Sequence, residues 1–188
     1  MDMRTVTVEM NMTFTTFTDT EEKEFYRLQR FYWREALRCE EAKAYLAGCV
    51  MLGSSLEALL MLMVNCHPDE AGGTGKVPIK NGEPRPLLDW GLAHLLDVAK
   101  AANWLPATLD VKKDDRNNRK AHIGDHAEIL RMLRNLAHPA RYATDHYHRR
   151  VTAKYLKRQF EIVLLCRDWL VQHNNKVLLA HMKEEGIS

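Results

Sequence analysis

The chain has 188 residues, of which 46% are hydrophobic and 28% are charged, a balance that is typical of globular proteins and argues against a disordered chain. The formal net charge is only +2, so composition alone does not indicate a nucleic-acid-binding protein. The four cysteines form no CxxC pair and match no zinc-binding spacing, and we expect reduced thiols, mostly in the core, of a cytoplasmic protein.

The first predicted element is a β-strand near the N-terminus. Residues 5–14, TVTVEMNMTF, alternate apolar and polar side chains with a period of two. No second strand of this quality follows, and a lone strand leaves its backbone groups unpaired. The segment therefore either pairs with a copy of itself in another subunit or stays a mobile tail. We assign residues 1–19 to an N-terminal extended segment or strand, and residues 20–188 to a single α-helical bundle domain.

Two long helices follow, at about 21–38 and 40–66. Asp19 or Thr20 can cap the first helix, whose first turn is rich in glutamate, as the helix dipole favours. The second helix becomes almost wholly apolar after Ala44 and is long enough to cross a membrane. Because Glu57 lies in its middle and glycines and serines dilute it, we predict a buried central helix and no membrane association.

The rest of the chain predicts three to four more helices. Residues 67–86 are rich in proline and glycine and predict a loop, as does the charged run at 112–120. Helices are predicted at about 86–103, with Leu88 and Leu92 in its apolar stripe, at 121–138 and at 151–174, and a short one at 176–185. The four tryptophans lie on helical patterns and are predicted to be in the core. Together these elements predict an all-α, up-and-down bundle of five to six helices.

The segment EILRMLRNLAHPARY, residues 128–142, carries the most informative polar pattern. On a helix, Arg131, Arg134, Asn135 and His138 fall within an arc of about 100°, opposite an apolar stripe. A solvated helix face would look similar, but this arc contains no lysine or glutamate, and all four side chains can bond phosphate oxygens. Pro139 predicts that the helix ends at His138, where an imidazole beside arginines can donate or accept a proton near neutral pH.

Further cationic residues follow this arc. Arg141 continues it beyond Pro139, and Arg149 and Arg150 belong to a second cluster, DHYHRR. This cluster either extends a track for RNA phosphates or forms a solvated turn. We include Arg141, Arg149 and Arg150 as candidate RNA-binding residues.

A single carboxylate in the second helix is a candidate partner for the arginines of this arc. Glu57 lies in a mostly apolar row of its helix, so its side chain needs a partner, and Arg131 or Arg134 is a candidate. Alternatively, Glu57 faces solvent through a gap beside Gly53.

A metal site is not predicted. His122 and His126 are spaced like a helical ligand pair, but no third ligand stands at a suitable spacing, so two surface histidines are the better interpretation. We predict no cofactor.

The run RMLRNLAH at the end of a helix resembles the HEPN (higher eukaryotes and prokaryotes nucleotide-binding) superfamily. Its hallmark is an arginine, four to six residues and a histidine, often with a polar residue after the arginine. Arg131 and His138 are separated by six residues, and Asn135 follows Arg134. The resemblance covers roughly residues 25–172, including LGSSLEALL and LLDWGLAHLLDVAKAANWLP, which look like a group of uncharacterised bacterial helical proteins.

The resemblance implies a helical-bundle homodimer with two motifs facing one cleft. Active members are metal-independent endoribonucleases, often in toxin–antitoxin or phage-defence systems, where an antitoxin or another protein is a partner. His138 would deprotonate or orient the ribose 2′-OH, Arg131 or Arg134 would stabilise the charged phosphorane, and Asn135 would orient the group. The alternative is a non-catalytic module that binds RNA, a nucleotide or a partner protein through the same arc. A third possibility is a purely structural subunit.

Overall fold

The computed structural model describes residues 13–107, 122–145 and 151–184, which form an all-α helical bundle with one small β-hairpin. The described residues contain seven helices: α1 (Asp19–Glu41), α2 (Tyr45–Cys66), α3 (Pro68–Gly73), α4 (Leu92–Ala101), α5 (Ile123–Asn135), α6 (Pro139–Asp145) and α7 (Ala153–Glu184). The predicted all-α class is confirmed. The number of helices exceeds the predicted five to six because α3 and α6 are too short to show an apolar period, and each begins at a proline, which suits a first helical position.

The N-terminal segment that the structure describes is extended and lies against the bundle. Most of the predicted strand at 5–14 lies outside the described residues, and the two that are described, Thr13 and Phe14, are not in a strand. The Phe14 ring packs on Trp90 with centroids 4.8 Å apart. The Phe17 backbone N–H donates to Asn65 Oδ1 at 2.7 Å, so this segment is fastened to the C-terminal end of α2.

Helix α1 begins one residue earlier than either predicted cap allows. Thr18, rather than Asp19 or Thr20, is the N-cap: its side chain accepts the N–H of Glu21, whose carboxylate accepts the N–H of Thr18 at 2.8 Å. This reciprocal pair is a capping box, which satisfies two backbone donors at once. Lys43, with φ of 58°, then separates α1 from α2.

Helix α2 is the central helix, packed against α1, α4, α5 and α7. It is long and apolar enough to cross a membrane by length and composition, but 67% of its most apolar window is buried inside the protein. Leu52, Leu56 and Leu60 are fully buried. The apolar surface of α2 is therefore used for packing within the bundle, as the sequence predicted.

The region predicted as a loop at 67–86 contains α3 and a hairpin. Strands β1 (Ile79–Lys80) and β2 (Glu83–Pro84) pair antiparallel around Asn81 and Gly82, which both have positive φ, as a two-residue turn of this kind requires. A 3₁₀ turn at Leu87–Asp89 precedes α4. The predicted start of that helix at about 86 is therefore wrong, and Leu88 is exposed instead of joining the apolar stripe.

The C-terminal helices predicted at 151–174 and 176–185 are one continuous helix, α7, of 32 residues. Trp90 and Trp104 are buried and Trp33 is partly buried against the core, but Trp169 is 45% exposed on α7, so its prediction as a core residue is wrong.

The cysteines behave mostly as predicted. All four are free thiols, and burial raises the pKa of Cys49 and of Cys166 to about 12. Cys39 is half-buried and Cys66 is exposed.

Candidate functional site

Helix α5 carries the candidate site and is held firmly at its N-terminal end. The His122 backbone N–H donates to Asp125 Oδ2 at 2.7 Å, which caps the helix. Gly124 lies so close to the backbone that a Cβ there would be 2.6 Å from the carbonyl oxygen of Leu105. One side of α5 is buried in the core, including Leu130 and Leu133. Packing on that side turns the polar arc away from the core.

The C-terminal end of α5 differs from the prediction. The helix ends at Asn135, three residues before the predicted end at His138, and Pro139 begins α6. The His138 backbone N–H donates to the Asn135 carbonyl at 3.0 Å, and the His138 carbonyl accepts the N–H of Tyr142 at 2.9 Å. Pro139 can start this second helix because the N–H of a first helical residue has no partner within the helix, so its absence in proline costs nothing there. His138 lies in the connection between the two helices.

Arg134 is fixed by the carboxylate of α2. Its Nη2 lies 2.6 Å from Glu57 Oε2, and the side chains are 32% and 16% exposed, respectively. The Leu92 backbone N–H, the first of α4, donates to Glu57 Oε1 at 2.8 Å. Glu57 therefore joins three helices. Burial raises its pKa, and the Arg134 charge and the Leu92 hydrogen bond offset part of that rise.

This pair depends on a close approach between α2 and α5. A Cβ on Gly53 would be 2.8 Å from the Cβ of Arg134. Gly53 is one turn before Glu57, so it makes the room in which the Arg134 side chain crosses α2 to reach the carboxylate. Of the two partners that the sequence offered Glu57, the structure pairs it with Arg134.

Arg131 is paired with a carboxylate of its own helix. Its guanidinium forms an ion pair with Glu128, to which its Nε donates at 2.5 Å, and Lys100 of α4 lies 3.6 Å from the same carboxylate. Glu128 is not among the residues that the sequence predicts for the site, although residues three apart on a helix commonly form an ion pair. Both arginines therefore have an anionic neighbour, and the cationic field of the arc is weaker than its residue types indicated.

The other predicted site residues have different surroundings. Asn135 is half-buried and His138 is exposed. Arg131, Arg134 and Asn135 lie in the last turns of α5, and His138 lies in the turn that follows. We call these four residues the α5 edge. Arg141 is exposed on α6, beyond this edge. Arg149 and Arg150 lie outside the described residues.

His122 and His126, which the sequence predicts to be two surface histidines, differ in their exposure. His122 is exposed and supplies the cap of α5, whereas His126 is half-buried. Burial lowers the pKa of His126, and the charge of Arg158 lowers it further.

Two further features were missed from the sequence. A groove between α1 and α7 is lined by Gln29, Arg30, Trp33, Arg34, Val163, Leu164 and Arg167, and none of these belongs to the α5 edge. In addition, His67, Glu70 and His173 bring possible ligand atoms within 4.8 Å of one another. His67 and Glu70 fall in what was predicted to be a loop, and no local spacing connects them to His173, so only the tertiary structure could bring the three together.

Comparisons with family models, with curated proteins and with solved structures found no match for this chain. Its function must therefore be argued from the sites themselves.

Proposed function

We propose that this chain is a HEPN-like, metal-independent endoribonuclease whose reaction takes place at the α5 edge. The observation that carries the proposal is the position of His138, an exposed imidazole in the turn between α5 and α6, four residues after an arginine whose guanidinium Glu57 holds in place. An imidazole that transfers protons must reach the substrate, and a cation that stabilises a phosphorane works best when its position is fixed beforehand.

Each residue of the α5 edge has a role in this reaction. His138 takes the proton of a ribose 2′-OH, whose oxygen attacks the adjacent phosphorus. The P–O5′ bond breaks, and the leaving oxygen takes a proton from an acid, which we assign to His138 of a second copy in a homodimer. The products are a 2′,3′-cyclic phosphate and a 5′-OH. Arg134 and Arg131 face the charge that develops on the phosphorane, and Asn135 orients the phosphate.

The ion pairs of the α5 edge leave room for this role. The Arg134 side chain remains 32% exposed beside Glu57, and Arg131 remains partly exposed beside Glu128. A guanidinium has five N–H donors, so one carboxylate does not exhaust its hydrogen-bonding capacity. The same carboxylates reduce the attraction for a phosphate, however, because each neutralises one positive charge.

The spacing of the motif favours one other function, a non-catalytic module that binds RNA, a nucleotide or a partner protein at the same edge. Arg131 has the six-residue separation from His138, whereas the polar companion Asn135 follows Arg134, so the two features fall on different arginines. In such a module the arginines recognise the ligand, and the imidazole contributes only one of several contacts. Replacement of Arg131 by Glu would then abolish binding, whereas His138→Ala would weaken it modestly.

Incubation of the purified, untagged protein with mixed RNA in the presence of EDTA tests the proposal. We expect the wild type to release fragments that end in a 2′,3′-cyclic phosphate, and we expect His138→Ala to slow cleavage by roughly 100- to 10,000-fold, the usual contribution of a positioned acid or base. His181→Asn, which changes an exposed histidine near the end of α7, is the matched control and should cleave at the wild-type rate.

Binding of the same RNA, measured in parallel, separates the two functions. RNA that is bound but stays intact, with affinity lost in Arg131→Glu, would replace the nuclease by the binding module. RNA that is cleaved equally well by wild type and His138→Ala would show that another site or a contaminant is responsible.

A further inference from the structure

Three ligand-type side chains converge where α3 meets α7. Glu70 Oε2 and Oε1 lie 3.0 and 3.2 Å from His173 Nε2, and Glu70 Oε1 lies 3.5 Å from His67 Nδ1. The donor atoms of all three fall within 4.8 Å of one another. Two atoms up to about 4.4 Å apart can share one ion at coordination distances of about 2.0–2.2 Å, so a shift of a few tenths of an ångström at most brings all three donor atoms into range.

This cluster is recessed without being closed. The side chains of His67 and His173 are 8% and 25% exposed, and that of Glu70 is 37% exposed. The two imidazoles therefore form the inner wall, while the carboxylate marks the opening. An ion that entered here would keep at least one position open to water, as metal ions with three protein ligands commonly do.

A second group of residues holds the three side chains in place. His67 Nε2 lies 3.0 Å from Asn174 Oδ1, and the Trp104 indole N–H donates to Glu70 Oε2 at 2.8 Å. In metal sites, the ring nitrogen of a histidine that does not bind the metal usually donates to an oxygen, and coordinating carboxylates are themselves hydrogen-bonded. His67 and Glu70 both follow this arrangement.

The contact between His67 and Glu70 shows why an ion would fit. When His67 Nε2 carries the proton that it donates to Asn174, a neutral ring has a lone pair on Nδ1. That lone pair faces a carboxylate oxygen at 3.5 Å, so two acceptors oppose each other. A cation between them removes the conflict.

We propose that His67, Glu70 and His173 form a binding site for one divalent transition-metal ion of the zinc type. Two imidazoles and a carboxylate suit zinc and its neighbours cobalt and nickel better than calcium or magnesium, which prefer oxygen ligands. The ion joins α3, which directly follows the central helix, to the C-terminal half of α7. This site is independent of the proposed nuclease, which shares none of its residues and needs no metal.

Titration of the untagged, EDTA-treated and desalted protein with Co²⁺ tests the proposal. We expect one equivalent to bind and to give visible absorption bands of a site with nitrogen and oxygen ligands, without the thiolate charge-transfer bands that a cysteine ligand would add. Addition of one equivalent of Zn²⁺ should abolish these bands.

Variants of the three ligands give the decisive comparison. His173→Asn and Glu70→Gln should each weaken Co²⁺ binding by at least about 100-fold. Trp104→Phe, which removes a supporting hydrogen bond and part of a buried ring, should weaken it by roughly 10-fold. His181→Asn, two helical turns further along α7, should bind as the wild type does. Thermal melts without metal identify any variant that is unfolded, and in that case His67→Asn serves as the second ligand variant.

Two results would overturn the proposal. One is the absence of Co²⁺ or Zn²⁺ binding to the folded wild type at up to millimolar metal, in which case the cluster is a hydrogen-bonded contact between helices and nothing more. The other is unchanged affinity in His173→Asn together with lost affinity in His126→Asn, which would place the ion on α5.

Discussion

Replacement of Arg134 by Met removes the partner of a largely buried carboxylate while keeping the aliphatic length of the side chain. Removal of one member of a buried ion pair costs about 3–5 kcal/mol, because the remaining charge stays buried without compensation. The Arg134 side chain is 32% exposed and Leu92 still donates to Glu57, so solvent and that hydrogen bond reduce the effect. We therefore expect Arg134→Met to lower the free energy of unfolding by about 2 kcal/mol.

Urea denaturation measures this loss, and a thermal melt should show a decrease of about 4–8 °C in Tm for a chain of this size. The matched control is Arg27→Met, which breaks an ion pair with Glu24 that is exposed on α1 and should cost far less than Arg134→Met, because solvent screens an exposed pair.

The pH dependence of the same variant provides a sharper test of the cause. Because burial raises the folded-state pKa of Glu57, its contribution to stability is present below its ordinary pKa of 4.5 and is lost as the pH rises through the folded-state pKa. Loss of Arg134 raises that pKa further, since one of the two groups that lower it is gone. Arg134→Met should therefore be closer to wild type in stability at pH 4 than at pH 7. An equal loss at both pH values, or one no larger than that of Arg27→Met, would refute the ion pair as the cause.

Three other changes test separate parts of the structure. Gly53→Ala should destabilise the protein by about 1–2 kcal/mol in urea, because overpacking against Arg134 outweighs the helix propensity gained. Gly91→Ala, which has open space around it but lies at the N-cap of α4, should cost less, about 0.5 kcal/mol; equal effects would contradict the close approach of α2 and α5. Thr18→Ala removes the N-cap of α1 and should cost about 1 kcal/mol by the same measurement, and a neutral result would show that the capping box does not stabilise the helix. Glu70→Gln should reduce the loss of unfolding free energy at acid pH in metal-free protein. Although burial raises the pKa of Glu70, hydrogen bonds from Trp104 and His173 lower it on balance, so the carboxylate stabilises the fold above pH 4.5 and this contribution is lost as the pH falls. Parallel curves of unfolding free energy against pH for the variant and the wild type would contradict this.

The long helices could be predicted from the sequence because each has an apolar period of several turns. Helix α2 was recognised as the central helix because its composition leaves almost no polar face. The break at Lys43 and the continuity of α7 past Asn174 were harder to predict, since one residue with positive φ ends a helix and two adjacent asparagines do not. Short elements that begin at prolines, such as α6, have no period from which they could be predicted.

The candidate sites also contain features that the sequence indicates and features that only the tertiary structure brings together. Glu57 could be linked to Arg131 or Arg134 because a single carboxylate in an apolar row needs a counter-charge. Only the close approach of α2 and α5 at Gly53 selects Arg134. The pairing of Arg131 with Glu128 is local, but Glu128 falls just outside the cationic arc of the helix, so the arc alone does not indicate it. The cluster at Glu70 depends on contacts between α3 and α7, and no pattern within either helix indicates it.

The central claim is that RNA binds at the α5 edge, and ultraviolet crosslinking of RNA to the wild-type protein, followed by peptide mass spectrometry, tests it most directly. We predict crosslinked peptides that contain Asn135 and His138, and their loss when Arg131 is replaced by Glu. Crosslinks confined to the groove that Arg30 and Arg167 line between α1 and α7 would contradict the claim.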